Sequence, residues 1–365
     1  MKVTLGCPTL VTEGRGHLWF PGMASLPTGE IAMGCSAVPD KNSVPAVGSY
    51  AVSADRGHSW SDLTLIPYGM LLASFRKGED LALLPFRWFH GNPAQTALSG
   101  HLVTLSNHGR SFRVDRHAVR VDGLPRATQE WTPGEASLVT GSNILPLPDG
   151  RLFTLIYGTF AGDAARHNRG FSLLAIESRD GGARWQYVTT VADWTFNPAW
   201  NEGPCESSLL ELADRSLMVV FRVGDGVKYF LHKCVSRDGG KSWSRPEALP
   251  TFGVLPSLVR VAGGGLLLAT GRPGIFLWHS ADGRGAHWES SDVIEHHNRV
   301  VTKPEYRIEP TPEWPRFHTT SYTCLLEYAP NKLLMIYDRI PCRWEPVPEN
   351  SPDQNRIFVL PIEIN

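Results

Sequence analysis

The stretch Ser178-Arg-Asp-Gly-Gly-Ala-Arg-Trp185 decides the fold, because it recurs along the chain. A second close copy is Ser236-Arg-Asp-Gly-Gly-Lys-Ser-Trp243, and a third is Ser53-Ala-Asp-Arg-Gly-His-Ser-Trp60. Two weaker copies lie at 106–112, with an asparagine in place of the aspartate, and at 280–288, with one additional residue. Copies spread this widely indicate an internal structural repeat.

The residue types of the repeat predict a tight turn between two strands. The serine ends a strand, the aspartate accepts backbone N–H groups, the glycine adopts a positive φ, and the tryptophan begins the return strand. The tryptophan is expected to pack between neighbouring sheets. We therefore interpret the repeated aspartates as turn-building residues: Asp55, Asp180, Asp238 and Asp282.

A second recurring element precedes several of these turns. It consists of an apolar strand, a turn with glycine or aspartate, and another apolar strand, as at 143–153, 207–218 and 257–267. Two hairpins per repeat predict a four-stranded antiparallel blade, and counting the units predicts an all-β, six-bladed β-propeller over residues 1–365 as a single domain. The last strand, Asn355 to Ile364, is expected to pair with a strand from the N-terminal blade.

The composition excludes several classes of partner. Basic and acidic residues are interspersed and the formal net charge is −1, so no nucleic-acid partner is predicted. No apolar run approaches the roughly 20 residues that cross a bilayer, so no membrane span is predicted. Residues 1–11 lack the features of a secretory signal, which favours a cytoplasmic location unless a signal has been removed.

Cysteine and histidine positions predict no metal or other cofactor. The 6 cysteines form no C-x-x-C pair and no zinc-binding spacing, so we predict reduced thiols in the core. The adjacent His296 and His297 are expected to point to opposite sides of a strand. The oligomeric state stays open.

The repeat resembles the Asp-box turns of the sialidase (neuraminidase) superfamily, whose members are six-bladed propellers, and this resemblance covers nearly the whole chain. Retaining sialidases use a tyrosine nucleophile activated by a glutamate, a separate aspartate as acid/base, and three arginines that bind the substrate carboxylate. Glu206 and Arg222 match the Glu–Arg hairpin of the family. The resemblance therefore implies that Glu206 is the base and Arg222 the second arginine.

Four further positions match family motifs more locally. Arg272 lies eight residues before the serine of an Asp box and matches the third arginine. Tyr322, in Thr-Ser-Tyr-Thr, matches the nucleophile, and Asp338 falls where the family has an acidic residue that supports an arginine. Asp40, on the loop before the first Asp box, is the nearest candidate for the acid/base.

One position departs from the family pattern. Trp19-Phe-Pro stands where the family has Arg-Ile-Pro, so Trp19 replaces the first arginine. An indole offers one N–H donor and an apolar face instead of a bidentate fork. Each lost charge-assisted hydrogen bond costs about 1.5–3 kcal/mol. Arg15 and Arg339 are candidates to replace the missing arginine from a loop.

Three functions are compatible with these residues. The first is a retaining exo-glycosidase of sialidase type that acts on terminal acidic sugars of an oligosaccharide or glycoconjugate. A neutral phenol suits this chemistry, because the anomeric carbon of a sialoside bears a carboxylate that disfavours a carboxylate nucleophile.

The replacement at Trp19 leaves two alternatives open. One is a polysaccharide lyase or atypical glycosidase on uronic-acid glycans, with Arg222 and Arg272 binding the uronate and Tyr322 transferring a proton. The other is a non-catalytic carbohydrate-binding propeller. In a purely structural interpretation, Tyr322 packs in the core and the two arginines form ion pairs that hold blades together.

Overall fold

The structure is a computed structural model that describes residues 1–40, 47–67, 71–86, 89–90, 96–132, 135–136, 138–163, 169–197, 202–224, 229–312 and 316–365. The contacts of the chain group into two compact units. The first unit combines Met1–Leu71 with Phe252–Asn365, and the second is Leu72–Thr251. The expectation of one domain over 1–365 stays a prediction.

The N-terminal part of the first unit contributes a four-stranded antiparallel sheet and two additional strands. The sheet has the order β3-β4-β5-β6, and the turn between β5 and β6 is the first Asp box. The strands are β1 (Val3–Leu5), β2 (Thr9–Gly14), β3 (Trp19–Ser25), β4 (Ile31–Ser36), β5 (Val47–Ser53) and β6 (Thr64–Pro67).

The second unit contains two sheets. One is four-stranded, with the order β19-β20-β21-β22, and the other has twelve strands. The strands are β7 (Ala73–Lys77), β8 (Asp80–Leu84), β9 (Phe89–His90), β10 (Leu98–Ser106), β11 (Ser111–Asp122), β12 (Glu130–Thr132), β13 (Glu135–Ala136), β14 (Leu138–Thr140), β15 (Leu145–Pro146), β16 (Leu152–Thr159), β17 (Phe171–Ser178), β18 (Arg184–Asp193), β19 (Pro204–Glu211), β20 (Leu217–Val223), β21 (Phe230–Ser236) and β22 (Glu247–Phe252).

The C-terminal part of the first unit adds a second four-stranded sheet, β23-β24-β25-β26, and a five-stranded sheet in which β28 lies between β27 and β29. Both β1 and β2 pair with β29. The elements are β23 (Val254–Arg260), β24 (Leu266–Gly271), β25 (Ile275–Ser280), β26 (Glu289–Asp292), α1 (Val293–Val300), β27 (Cys324–Ala329), β28 (Lys332–Arg339) and β29 (Asn355–Ile364).

The all-β prediction and the four-stranded antiparallel unit are confirmed, but the count of six separate blades is corrected. Among the described strands, four sheets form separate blades. The strands of the two other predicted blades form the twelve-stranded sheet, because Arg120–Asp122 of β11 pairs in parallel with Arg184–Gln186 of β18. The last strand has its predicted bounds, but its N-terminal partners belong to its own sheet rather than to β3–β6.

The Asp-box turns have the predicted hydrogen bonds. In the box that begins at Ser178, Asp180 Oδ1 accepts the N–H groups of residues 183 and 184 at 3.1 and 2.9 Å. The Trp185 indole donates to the Gly182 carbonyl at 3.0 Å and its ring packs in a core cluster with Phe75. Hydrogen bonds from Ser59 and Ser53 hold the pKa of Asp55 at about 2. These aspartates are therefore satisfied within their own turns.

Two predictions outside the Asp boxes need correction. His296 and His297 lie on helix α1, which Asp292 caps by accepting the Glu295 N–H at 2.9 Å. His297 is fully buried and hydrogen-bonds the Tyr337 hydroxyl at 2.9 Å. The cysteines are all unpaired, but they are not all in the core, since Cys7 is exposed.

Candidate functional site

A buried carboxylate fixes the segment that carries Tyr322. Asp338, on β28, is fully buried and accepts the Thr320 N–H at 2.7 Å and the Thr319 hydroxyl at 2.8 Å. Its other oxygen accepts the Thr320 hydroxyl and the Phe20 N–H, the latter at 3.3 Å. Burial raises the pKa of Asp338 to about 6, against the lowering effect of these hydrogen bonds. Asp338 thus supports a loop through these bonds, where the family resemblance implied that it supports an arginine.

Tyr322 lies half-buried at the end of this segment. Its ring packs edge-on against Phe20, with the ring centroids 4.6 Å apart, and its N–H donates to the Thr320 hydroxyl oxygen at 3.4 Å. The partial exposure of Tyr322 differs from that of a core tyrosine such as Tyr337, which is fully buried. The phenol is therefore not locked inside the core.

Trp19 is buried instead of lining an open surface. Its side chain is only 1% exposed, and its ring lies between His17 and Trp344, with centroid distances of 4.5 and 5.3 Å. Its indole N–H is buried without a hydrogen-bond partner among the described residues. The indole N–H of Trp19 is withdrawn from solvent, and the assignment of Trp19 as a substrate-binding residue stays a prediction.

Arg272 extends the surface around Tyr322. It follows β24, it has a φ of +57°, and its Nη2 donates to the Thr320 carbonyl at 3.5 Å. Its guanidinium lies 5.8 Å from the ring centre of Trp344, a partly exposed tryptophan that also contacts Phe20. We call Phe20, Arg272, Tyr322 and Trp344 the tyrosine patch. It brings the half-buried phenol of Tyr322, the guanidinium of Arg272 and the exposed ring of Trp344 together around the buried ring of Phe20.

The two arginines considered as replacements for the first family arginine have other partners. Arg339 is buried and binds Asp353 with both terminal nitrogens, at 2.7 and 3.0 Å. Arg15 donates to the backbone carbonyl of Pro348 at 2.7 Å. Neither joins the tyrosine patch. Asp40 is exposed on the loop after β4, and its acid/base role stays a prediction.

The second unit carries Glu206 and Arg222 as an ion pair. Both are buried, and Arg222 Nη1 donates to Glu206 Oε2 at 2.7 Å. The pairing of β19 with β20 shifts register between Pro204 and Ser207. A bulge of this kind redirects a side chain, and Glu206 lies within it. The Glu206–Arg222 pair is predictable from the sequence pattern, whereas the bulge is not.

Glu202 is a second carboxylate on the same arginine, and sequence analysis missed it. Arg222 Nη2 donates to Glu202 Oε2 at 2.9 Å, while Nε donates to the Gly224 carbonyl. The other oxygen of Glu202 lies 3.4 Å from Nε of Arg169. Glu202 precedes the strand that carries the Glu–Arg motif, so the motif gave no signal for it.

The predicted site residues therefore fall into two groups, each within one unit. The first unit holds Tyr322, Arg272, Asp338 and Trp19 around the tyrosine patch, and Asp40 on an exposed loop. The second unit holds Glu206 and Arg222. Within the described residues, no group of three or more His, Cys, Asp and Glu side chains is placed to hold a metal ion. No helix in the described part of the chain is long and apolar enough to cross a membrane.

Solved structures with a similar fold include glycoside hydrolases. A protein of unknown function from Dyadobacter fermentans is 18% identical, with a TM-score of 0.70 and coverage of 100% of this chain and 99% of the other. A Hadza microbial sialidase is 16% identical, with a TM-score of 0.62 and coverage of 94% and 67%. The α-L-arabinanase of Penicillium chrysogenum, complexed with arabinobiose, is 14% identical, with a TM-score of 0.60 and coverage of 98% of each chain.

At these identities the structural similarity establishes the fold, which is an all-β propeller. None of the curated proteins matches the chain significantly. The sequence does match the BNR repeat-like domain family over residues 75–322, more than half of the chain. The chain therefore belongs to the BNR repeat-like domain family.

Proposed function

We propose that this protein is a retaining exo-glycosidase of sialidase type that acts on terminal acidic sugars of glycans. The observation that carries the proposal is the tyrosine patch, where a half-buried Tyr322 lies on a segment fixed by Asp338 and next to Arg272. The sialidase and arabinanase folds among the similar structures support a glycosidase. Arg272 provides the positive charge that an acidic sugar requires.

In the first half-reaction, the Tyr322 phenol attacks the anomeric carbon and Glu206 takes the phenolic proton. The glycosidic bond breaks as Asp40 donates a proton to the leaving oxygen, and the sugar becomes covalently linked to the tyrosine. Activation of a weak nucleophile by an adjacent base is the general requirement for such a step. Arg222 holds the Glu206 carboxylate in place at 2.7 Å.

In the second half-reaction, water attacks the same anomeric carbon from the face that the leaving group vacated. Asp40 takes a proton from this water, the bond to Tyr322 breaks, and the phenolate recovers its proton from Glu206. Two inversions give net retention. Water and the glycoside are the only reactants.

The test is hydrolysis of a fluorogenic sialoside by the wild type, Tyr322→Phe and Glu206→Gln. Both variants are expected to lose kcat/KM, Glu206→Gln by about 10²- to 10⁴-fold as for other acid–base residues. Tyr328→Phe is the matched control, because it removes the same hydroxyl from another half-buried tyrosine of the first unit. Mass spectrometry of protein quenched during turnover should find the sugar on the peptide that contains Tyr322. Full activity of Tyr322→Phe would refute the mechanism.

A second candidate is a lyase or glycosidase for uronic-acid glycans, or a glycosidase for neutral sugars. This candidate is favoured because two of the three carboxylate-binding arginines of the family are not available here. Trp19 replaces the first and is buried, and Arg222, which matches the second, already binds two carboxylates. The same assay with uronic-acid oligosaccharides and an arabinofuranoside separates these substrates. Cleavage of a uronate or arabinoside without sialoside turnover would select this candidate. Binding without cleavage of any substrate would select a carbohydrate-binding propeller.

A further inference from the structure

Arg222 lies between two carboxylates in the second unit. Nη1 donates to Glu206 and Nη2 to Glu202, at 2.7 and 2.9 Å, and Nε donates to a backbone carbonyl. All three side chains of this arrangement are almost completely withdrawn from solvent. Each nitrogen of the guanidinium therefore already has an acceptor within the protein.

The charges of this arrangement oppose a further anion. Among the described residues, Arg222 is paired with two carboxylates, Glu202 and Glu206, and Arg169, which offsets Glu202, is mostly exposed. Solvent screens an exposed charge more effectively than a buried one. A substrate carboxylate that approached Arg222 would meet repulsion from Glu202 and would compete with it for Nη2.

We propose that Glu202 is a specificity-determining residue that withdraws Arg222 from substrate recognition. The inference rests on the proposed function and refines its substrate class. Because Glu202 and Glu206 hold the guanidinium of Arg222, a sugar carboxylate gains no hydrogen bond from Arg222 unless it displaces Glu202. The substrate class is thus an acidic sugar whose carboxylate is recognised without Arg222, in contrast to the three-arginine recognition that the family resemblance implied.

The test compares affinities for the sialic-acid analogue 2-deoxy-2,3-didehydro-N-acetylneuraminic acid, measured by calorimetry. Glu202→Ala removes the competing carboxylate and leaves the backbone carbonyl of residue 202, which accepts the Phe171 N–H. We expect Glu202→Ala to bind this acid about ten-fold more tightly, the value of one charge-assisted hydrogen bond. Glu202→Gln, which keeps an acceptor for Nη2, should show a smaller gain.

The matched control is Glu211→Ala, which removes a carboxylate that pairs with Arg215 at 2.8 Å on the same hairpin. Its affinity for the acid should equal that of the wild type. The methyl ester of the ligand provides a second control, because the gain in Glu202→Ala should be confined to the free carboxylate. A structural disturbance would change the affinity for acid and ester alike.

Equal affinity of Glu202→Ala and Glu211→Ala for the acid, or no binding by either, would overturn the inference. If Glu202→Ala does not fold, the same comparison is made with Glu202→Gln. The readout is binding, so it does not depend on turnover. A wild type that cleaves no glycoside would refute the proposed function while a gain in Glu202→Ala still supports the role of Glu202.

Discussion

Asp338 makes the stability of the first unit depend on pH. Its pKa rises from 3.8 to about 6 on folding because of burial. Between these values the folded protein keeps a proton that the unfolded chain has released. The contribution of Asp338 to stability is therefore full below about pH 4 and is lost as the pH rises through about 6.

Asp338→Asn is expected to remove this dependence. The free energy of unfolding of the wild type, minus that of the variant, should fall by about 2–3 kcal/mol between pH 4 and pH 7, as measured by urea denaturation. Asp353→Asn serves as a control, since hydrogen bonds from Arg339 and Gln354 lower the pKa of Asp353 below 3.8 and place its pH-dependent contribution mainly below about pH 4, so its difference should change little between pH 4 and pH 7. A difference for Asp338→Asn that stays flat with pH would contradict the assignment.

The role of a residue could be predicted from the sequence when its contacts are with residues nearby in sequence, and not when they are with distant ones. The role of Asp180 could be predicted, because the groups that donate hydrogen bonds to its carboxylate, the Ser178 hydroxyl and the Arg184 N–H, lie within four residues of it. The burial of Trp19 could not, because it depends on Trp344 near the other end of the chain. Glu202 was missed for the same reason, since its partner Arg222 lies on a different strand.

At the scale of elements, each of the three close Asp-box copies packs the glycine four residues after its serine onto a strand of another sheet or hairpin. Gly182 faces the ring of Phe75, Gly240 faces Phe153, and Gly57 lies against Leu334. These glycines have positive φ, and an added Cβ would overlap the facing side chain. The box is thus a docking element as well as a turn, which the sequence repeat alone did not show.

The adjacent glycines of one box separate backbone strain from packing. Gly181 and Gly182 have φ of +72° and +88°, but a Cβ would lie 2.8 Å from Phe75 Cε2 only at Gly182, while Gly181 has nothing within 4 Å. Gly181→Ala should cost about 1–2 kcal/mol from the left-handed backbone. Gly182→Ala should cost about 1–3 kcal/mol more from overpacking. Urea denaturation measures both, and equal losses would show that the contact with Phe75 is unimportant.

The strand that carries Glu206, β19, contains a bulge that the alternation of apolar residues could not predict. The same register shift occurs in β3 between Trp19 and Gly22 and in β23 between Val254 and Ser257. The hairpins were predicted from alternating apolar residues, but a bulge adds a residue without changing composition. Sequence therefore located the Glu–Arg hairpin and left the direction of its side chains undetermined.

At the scale of the whole molecule, the sequence repeats predicted the hairpins, but they did not predict which edge strands of neighbouring hairpins pair with each other. The parallel contact of β11 with β18 joins two predicted blades and has no counterpart in the repeat. The pairing of β29 with an N-terminal strand was predicted because the last strand was expected to close the ring of blades. In the structure, β1 and β2 complete the sheet of β27–β29.

The two chain ends are hydrogen-bonded to each other, which predicts tolerance of circular permutation. Lys2 N–H donates to the Asn365 carbonyl at 2.8 Å, and Asn365 N–H donates to the Lys2 carbonyl at 2.9 Å. A short Gly/Ser linker can join them, and new ends can be placed between Gly78 and Glu79, in the exposed turn between β7 and β8. The permutant should keep every strand pair and lose no more than about 2 kcal/mol, since exposed turns tolerate new ends.

Deletion of residues 1–14 is the matching test of what the N-terminal strands contribute. It removes β1 and β2, exposes an edge of β29 and deprives the buried Arg356 of Glu13, its partner at 2.9 Å. Unpaired backbone groups and the loss of one of the two carboxylate partners of a buried arginine, which leaves Arg356 with Asp353 alone among its described ion-pair partners, are both destabilising. We expect the deletion to lose cooperative thermal unfolding and the permutant to retain it, as followed by circular dichroism. If the permutant were as unstable as the deletion, covalent continuity at Gly78 would matter more than the pairing of the ends.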